Sequence, residues 1–171
     1  MRRAMRRGAR AAACGAMLAV LSACGFQPLY GTAAEQNVPA QFAQIAIAPI
    51  PDRIGQQIRN FLLDRLNPAG QPSRPLYTLR VKADVSRTDL GIKRDETATR
   101  AVLNVNVSYV LIDSRNGKTL FTGYERSVNS FNIVDSDFAT LSAEKDALDR
   151  AAREVSNAIR LRLGIYFRAG A

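Results

Sequence analysis

The stretch from Tyr77 to Ser86 constrains the fold most, because apolar and polar side chains alternate there at every position. The apolar members are Tyr77, Leu79, Val81, Ala83 and Val85. A period of two places the apolar side chains on one face of a β-strand and the polar ones on the other. Because a strand with one solvated face is typical of antiparallel sheets, the stretch predicts such a sheet.

Two further strands are predicted after this one. The first has an apolar face of Leu103, Val105, Val107, Tyr109 and Leu111 and a polar face of Asn104, Asn106 and Ser108. A polar, charged connection over residues 89–99 precedes it. Asn116-Gly117 then predicts a hairpin, since a type I′ turn needs positive φ at both central residues. The last strand runs from Lys118 to about Phe131.

A two-residue turn at Asn116-Gly117 also fixes a register. The predicted inner-face pairs are Tyr109 with Tyr124 and Val105 with Val128. Arg126 would then face inward against Val107, which burial of a charge disfavours. A bulge near Gly123, or a sheet edge where Arg126 reaches water, would remove the conflict.

Helical periodicity flanks the strands. After a short apolar strand, residues 45–50, one stripe recurs at three- and four-residue spacing, with Asp52 as the expected cap: Ile54, Ile58, Phe61, Leu62 and Leu66. A second begins near Asp137: Leu141, Leu148, Ala152, Val155, Ile159 and Leu163. We therefore predict an α+β fold of order β-α-β-β-β-α, a four-stranded, mixed and mostly antiparallel sheet with two helices packed on one face. The domain spans residues 45–167, with 168–171 a tail.

The N-terminal region is typical of an export signal. Residues 1–23 carry five arginines and no acid, and an apolar run from Ala11 to Leu21 follows the arginines. The paired arginines are compatible with export by the twin-arginine route, but the general secretory route fits the segment better. Translation could start at Met1 or at Met5. Leu21-Ser22-Ala23-Cys24 has the form of a lipobox, in which the cysteine takes lipid. The alternative interpretation of this segment, an amphipathic surface helix, explains neither its alanine-rich core nor the cysteine. Residues 24–44 are expected to be a lipidated tether.

Removal of residues 1–23 changes the charge and the thiols. The whole chain has a formal charge of +9, whereas residues 24–171 hold 19 basic and 15 acidic residues, a net charge of +4. The basic excess therefore gives no argument for a nucleic-acid partner. Cys14 leaves with the signal and Cys24 would be lipidated, so no disulfide is expected.

Cys24 to Gly31, Cys-Gly-Phe-Gln-Pro-Leu-Tyr-Gly, resembles the mature N-terminus of the LptE family of lipopolysaccharide-assembly lipoproteins, especially its alphaproteobacterial branch. The resemblance implies an outer-membrane lipoprotein on the periplasmic face, anchored by its lipid. It also implies that the protein partners and plugs the LptD β-barrel in a 1:1 complex. In that complex it assists assembly of the barrel and delivery of lipopolysaccharide (LPS) to the outer leaflet.

The residue types argue against an enzyme. The chain has no histidine, and no free thiol remains after processing, so imidazole or thiolate ligation of a metal is excluded and serines such as Ser127 lack a base. Asp135 and Asp137 could hold a hard cation, but acids before a helix are typically its cap and first-turn charges. No cofactor is expected beyond the lipid on Cys24. The alternatives are an auxiliary lipoprotein of an ABC-type lipid transporter and an envelope hydrolase.

Five residues are the candidate site residues. Cys24 is the lipidation site. Ile112 and Phe121 meet on the outer face in the predicted register and are candidate contacts with the barrel. Lys93 and Arg94 lie near the tip of the first long hairpin, and the family resemblance implies that they contact LPS phosphates; a solvated turn is the alternative.

Overall fold

The computed structural model describes residues 33–92 and 98–169 of the chain. By its internal contacts the chain divides into two compact units, Met1–Gln36 and Asn37–Ala171. Of the first unit only residues 33–36, the start of a helix, are described. The strands and the two long helices all belong to the second unit, to which the following description refers.

Three helices and four strands make up the described structure. In chain order they are α1 (Ala33–Phe42), β1 (Ile45–Ile47), α2 (Arg53–Leu66), β2 (Tyr77–Ile92), β3 (Ala98–Asp113), β4 (Thr119–Asn132) and α3 (Asp137–Arg168). The strands form one sheet in the order β1-β2-β3-β4, with β1 parallel to β2 and the other neighbours antiparallel. The predicted α+β class and mixed sheet are therefore confirmed.

The alternation of side chains in β2 and β3 determines which face is buried. Every second residue of β3 from Ala101 to Leu111 is buried, and Leu79 and Val81 of β2 join them. These side chains pack against buried residues of the two long helices, such as Ile58 and Leu62 of α2 and Val155, Ile159 and Leu163 of α3. Both helices therefore cover one face of the sheet, here called the inner face.

The predicted register between β3 and β4 was wrong by one residue. The connection is a four-residue loop, Ser114–Gly117, closed by the Asp113 amide, which donates to the Lys118 carbonyl at 2.9 Å. A bulge follows, since Leu111 pairs with Phe121 but Ile112 pairs with Thr119. The loop and the bulge together pair Tyr109 with Gly123 and Asn106 with Arg126.

This register removes the conflict at Arg126. Arg126, Tyr124 and Val128 lie on the solvated face of the sheet, where all three are exposed. Phe121 lies on the inner face, opposite Leu111. Gly123 faces the ring of Tyr109, which occupies the space that a larger side chain at position 123 would need. Of the two alternatives, a bulge near Gly123 or a sheet edge, the structure has a bulge, but near Leu120, and β4 is also an edge strand.

Helix α1 was not predicted, because its polar composition and internal Pro39 hide its periodicity. Two apolar residues four positions apart, Val38 and Phe42, are nevertheless buried and belong to the core. Asn67, just after α2, fixes the connection from α1 to β1, since its side-chain amide donates to the carbonyls of Phe42 (3.2 Å) and Ile45 (3.1 Å). The tether expected over residues 24–44 therefore includes an ordered helix.

The two long helices begin where the sequence predicted. Asp52 precedes α2, but it adopts positive φ and its side chain makes no capping hydrogen bond. Ser136 caps α3 by accepting from the Ala139 amide. Leu141 was expected on the buried stripe of α3 and is instead half exposed. Within the described residues, no helix combines the length and apolar character needed to cross a membrane.

Candidate functional site

The face of the sheet opposite the helices is here called the outer sheet face. It presents the alternate residues of β2, β3 and β4 that do not point into the core. Its central rows, read across the three strands, are Arg80-Val110-Thr122, Lys82-Ser108-Tyr124, Asp84-Asn106-Arg126 and Ser86-Asn104-Val128. The predicted placement of Asn104, Asn106 and Ser108 on the face opposite the core is confirmed.

Two hydrogen bonds orient the asparagines of the outer sheet face. The Tyr124 hydroxyl donates to Asn106 Oδ1 at 2.7 Å, and Arg126 Nη2 donates to Asn104 Oδ1 at 2.6 Å. Each amide oxygen is thus engaged, while neither amide nitrogen has a partner among the described residues. Since an amide nitrogen only donates, both asparagines present donors to a ligand on this face.

The basic residues of the outer sheet face also lack acidic partners. Arg80, Lys82 and Arg100 form no ion pair or side-chain hydrogen bond with the described residues, and Arg126 contacts only the neutral Asn104. Among the described outward residues of the three long strands, Asp84 is the only one with an acidic side chain. By contrast, several arginines elsewhere contact carboxylates, namely Arg87, Arg115, Arg150, Arg153 and Arg162. The outer sheet face therefore carries an excess of uncompensated positive charge.

The inner side of β4 is polar and meets α3 through hydrogen bonds. The Ser127 hydroxyl donates to Glu154, and Asn129 Nδ2 donates to Ser127 Oγ at 2.8 Å and to Glu154 at 3.2 Å. Arg150 Nε donates in turn to Asn129 Oδ1 at 3.3 Å. Because these groups satisfy one another, this network serves to seat α3 on the sheet.

Tyr109 extends this contact into the core. Its hydroxyl donates to Glu125 Oε1 at 3.3 Å, and the same carboxylate oxygen forms an ion pair with Arg162 Nε, also at 3.3 Å. Burial, followed by the charge of Glu125, raises the pKa of Tyr109 far above its ordinary value. Tyr109 is therefore a neutral hydrogen-bond donor at physiological pH.

A second contact links the long β2–β3 hairpin to the start of α3. Arg87 Nη1 donates to Glu144 at 2.9 Å and Arg87 Nε donates to Asp89 at 2.8 Å. The guanidinium also lies over the Phe131 ring, 5.3 Å from its centroid. Beside this contact, a groove of about 250 Å³ separates the first turns of α2 and α3. Its lining combines apolar and charged side chains: Arg53, Ile54, Gln57, Leu141, Glu144, Lys145 and Leu148.

Within the described residues, no three histidine, cysteine, aspartate or glutamate side chains group together in a way that could hold a metal ion. Asp135 and Asp137 flank the capping residue Ser136 and are exposed, with Asp137 in the first turn of α3. The capping interpretation of this acidic pair thus fits its position, although the side chain that caps is Ser136.

The two predicted site residues within the described part of the chain, Ile112 and Phe121, lie on opposite faces of the sheet. Cys24, Lys93 and Arg94 lie outside the described residues. Ile112 lies on the outer sheet face, partly exposed, so its contact with a partner stays a prediction. Phe121 packs on the inner face against the rings of Tyr109 and Tyr166. The premise on which Phe121 was named, an outward position next to Ile112, was wrong.

Sequence reasoning missed the cations of the outer sheet face as a group. Arg80 and Lys82 were recognised only as the polar positions of an alternating strand. Arg126 was placed on the wrong face. Summing the charges at the outward positions would have shown the excess of positive charge on β2. Arg126 could be assigned to the same face only once the register of β4 was known.

Comparison with known proteins gives one family. The sequence profile of LptE, described as lipopolysaccharide-assembly, matches residues 42–163. This range contains all four strands, α2 and most of α3. Comparison with curated protein sequences gives no match.

Solved structures of lipoproteins share the fold. A lipoprotein from Caulobacter crescentus CB15 is 26% identical with a TM-score of 0.65, over 80% of this chain and 99% of that one. A minor lipoprotein from Acinetobacter baumannii is 16% identical with a TM-score of 0.58, over 72% and 92%. Rare lipoprotein B from Shewanella oneidensis is 12% identical with a TM-score of 0.54, over 70% and 92%. At their low identities, the last two establish a common fold alone.

Proposed function

The chain belongs to the LptE family of lipopolysaccharide-assembly lipoproteins, and from this membership we propose that it acts in delivering LPS to the outer leaflet as the partner of an LptD-type β-barrel. The observation that carries the proposal is the extent of the match, which includes the whole sheet, α2 and most of α3. The open sheet face supports it, because a protein held in a water-filled barrel lumen needs a surface rich in hydrogen-bonding groups. The match favours this function over an auxiliary subunit of an ABC-type transporter.

The contact with the barrel is proposed to include Ile112, at the end of the outer sheet face nearest β1. Ile112 pairs there with Thr78 and Thr119, and together with Val110, the preceding outward residue of β3, it presents a partly exposed apolar surface. Burial of apolar surface in an interface is favourable. Phe121 is no longer proposed as a direct contact, because it packs on the inner face.

Copurification tests the partnership. The whole chain, affinity-tagged and isolated from its native envelope, is expected to recover one LptD-type barrel per chain. Ile112→Asp should reduce that recovery, whereas the matched change Thr88→Asp, at the opposite end of the same face, should not. Recovery of an ABC-transporter complex in place of a barrel would refute the proposal.

Anchoring by lipid is proposed for Cys24, which follows the lipobox Leu21-Ser22-Ala23. One acyl chain binds membranes only marginally, with an association constant of about 10⁴ M⁻¹, so the several chains expected on Cys24 would anchor the protein firmly. Mass spectrometry should find acylated Cys24 as the N-terminal residue, and unprocessed precursor in Cys24→Ser. An unmodified chain beginning elsewhere would exclude this anchor.

Lys93 and Arg94 are proposed to contact LPS phosphates, since they lie in sequence between the two strands of the longest hairpin. Guanidinium grips a phosphate with two parallel hydrogen bonds, and ammonium acts as a point charge. The double change Lys93→Glu with Arg94→Glu should weaken LPS binding while leaving barrel recovery intact. Unchanged LPS binding in the double variant would instead favour the alternative interpretation, in which Lys93 and Arg94 belong to a solvated turn.

A further inference from the structure

We propose that the centre of the outer sheet face binds the phosphorylated saccharide of LPS, through Arg80, Lys82 and Arg126 with Asn104, Asn106 and Tyr124. This inference rests on the proposed function, since it assigns part of the LPS molecule to a defined surface of the chain. It places the saccharide on the sheet itself, apart from the hairpin segment that contains Lys93 and Arg94.

The chemistry of the face matches a phosphate-bearing ligand. The central rows hold three cations without acidic partners and two amide nitrogens that have no partner among the described residues. Apart from the Asp84 carboxylate, every free polar side chain in these rows can donate a hydrogen bond, and phosphate oxygens only accept. Arg80 and Lys82 are successive outward residues of β2. Arg126 lies two strands away, which corresponds to about 10 Å from the usual strand spacing, so the cations can hold separate anionic groups of one ligand.

The neutral groups of the face fit the sugar between its phosphates. The ring of Tyr124 is 59% exposed and is held by its hydrogen bond to Asn106. A fixed aromatic ring offers a flat apolar surface to the carbon-bearing face of a sugar. The carboxylate of Asp84, which lies next to Lys82 on the outward side of β2 and across Asn106 from Arg126, can accept hydrogen bonds from sugar hydroxyls. The face thus offers separate groups for phosphates, hydroxyls and ring carbons.

An acidic protein surface is the competing occupant. Protein interfaces are depleted of Lys and Asp, although Arg and Tyr are enriched there. Here Lys82 and Asp84 lie side by side in the central rows. A hydrated saccharide tolerates this arrangement, because ordered water can remain between its hydroxyls and the protein. The structure therefore favours the saccharide.

Calorimetric titration of the whole chain in detergent tests the assignment with two probes. The first is the lipid-free phosphorylated oligosaccharide of LPS, and the second is the same oligosaccharide after chemical removal of its phosphates. The site variant is Arg80→Gln with Lys82→Gln and Arg126→Gln. The control variant removes the same charge from exposed positions on the helices, by Arg53→Gln with Lys145→Gln and Arg160→Gln.

The phosphorylated probe is expected to bind the unmodified chain. Binding should weaken about tenfold or more after phosphate removal or in the site variant, since hydrogen bonds to charged groups are the strong ones. The control variant should bind within about twofold of the unmodified chain, because exposed charges at a distance are screened.

Three results would overturn the assignment. The site variant could bind as well as the unmodified chain, phosphate removal could have no effect, or the control variant could lose binding, which would place the ligand on the helices. Normal oligosaccharide binding by the site variant with loss of barrel recovery would assign the face to an acidic protein surface. If the unmodified chain binds intact LPS and recovers the barrel but does not bind the oligosaccharide, this inference fails and the proposed function stands. If the unmodified chain neither binds LPS or the oligosaccharide nor recovers the barrel, the proposed function fails as well.

Discussion

Phe121 packs between Tyr109 of the sheet and Tyr166 of α3, with ring centroids 6.1 Å and 5.2 Å away. Its position follows from one extra residue in β4, which turns it from the solvated face to the helices. Removing a buried aromatic ring costs about 3–5 kcal/mol, and Phe121 is partly buried. We therefore expect Phe121→Ala to lower the free energy of unfolding by about 2–4 kcal/mol in urea titrations.

Tyr124 provides the matched control, because it is an aromatic residue three positions later on the exposed face. Tyr124→Ala should change the free energy of unfolding by less than about 0.5 kcal/mol. Equal losses in the two variants, or the larger loss at Tyr124, would contradict the register found here.

Asp113 predicts a pH dependence of stability. Arg115 hydrogen-bonds its carboxylate through the side chain (2.8 Å) and the backbone amide (2.9 Å), and these bonds lower the pKa of Asp113 to about 2. A carboxylate whose pKa is lowered on folding stabilises the protein above its unfolded pKa, about 3.9. This stabilisation is lost as the pH falls through about 2.

Urea titrations at several pH values measure this contribution. The stability of the unmodified chain should fall more steeply below pH 4 than that of Asp113→Asn, in which the titrating group is absent. Parallel curves for the two proteins would show that the contact between Asp113 and Arg115 contributes nothing to stability.

At the scale of elements, the sequence predicted what local periodicity records. The alternation in β2 and β3 and the apolar stripes of α2 and α3 identified these elements, because burial of one face imposes a period of two or of 3.6. The sequence did not predict α1, whose buried residues are few. It predicted the hairpin at Asn116-Gly117 but not its length, because Gly117 adopts positive φ and Asn116 does not, so the loop is not the type I′ turn.

The Arg87 contact is expected to hold the β2–β3 hairpin against α3. Arg87→Gln removes the ion pair with Glu144 and the cation–π contact with Phe131. Exposed ion pairs contribute only about 0–1 kcal/mol, so global stability should change little. Local opening should increase, and amide hydrogen exchange in residues 137–147 is expected to accelerate severalfold.

Arg153→Gln is the control for this experiment, because Arg153 contacts Asp149 within α3 and lies over the Phe61 ring. It should leave exchange in residues 137–147 unchanged. If both variants exchange at the rate of the unmodified chain, the hairpin is held by the apolar contacts of Leu103 and Phe131 alone.

At the scale of the whole molecule, the candidate site was less predictable than the fold. The excess of cations on the outer sheet face depends on which residues of three strands point the same way, and on which arginines find acids elsewhere. Arg87 and Arg126 both lie in alternating strands, yet only Arg87 reaches carboxylates, Asp89 and the more distant Glu144 of α3. Such pairings depend on tertiary contacts that local periodicity does not report.

The central claim is that this protein takes part in moving LPS to the outer leaflet. The most direct test is controlled depletion of the protein in its native cell, followed by labelling of newly made LPS at the cell surface. We expect new LPS to stop reaching the surface as the protein disappears, and its appearance to resume when the unmodified chain is restored. Continued delivery of new LPS to the surface of fully depleted cells would contradict the claim.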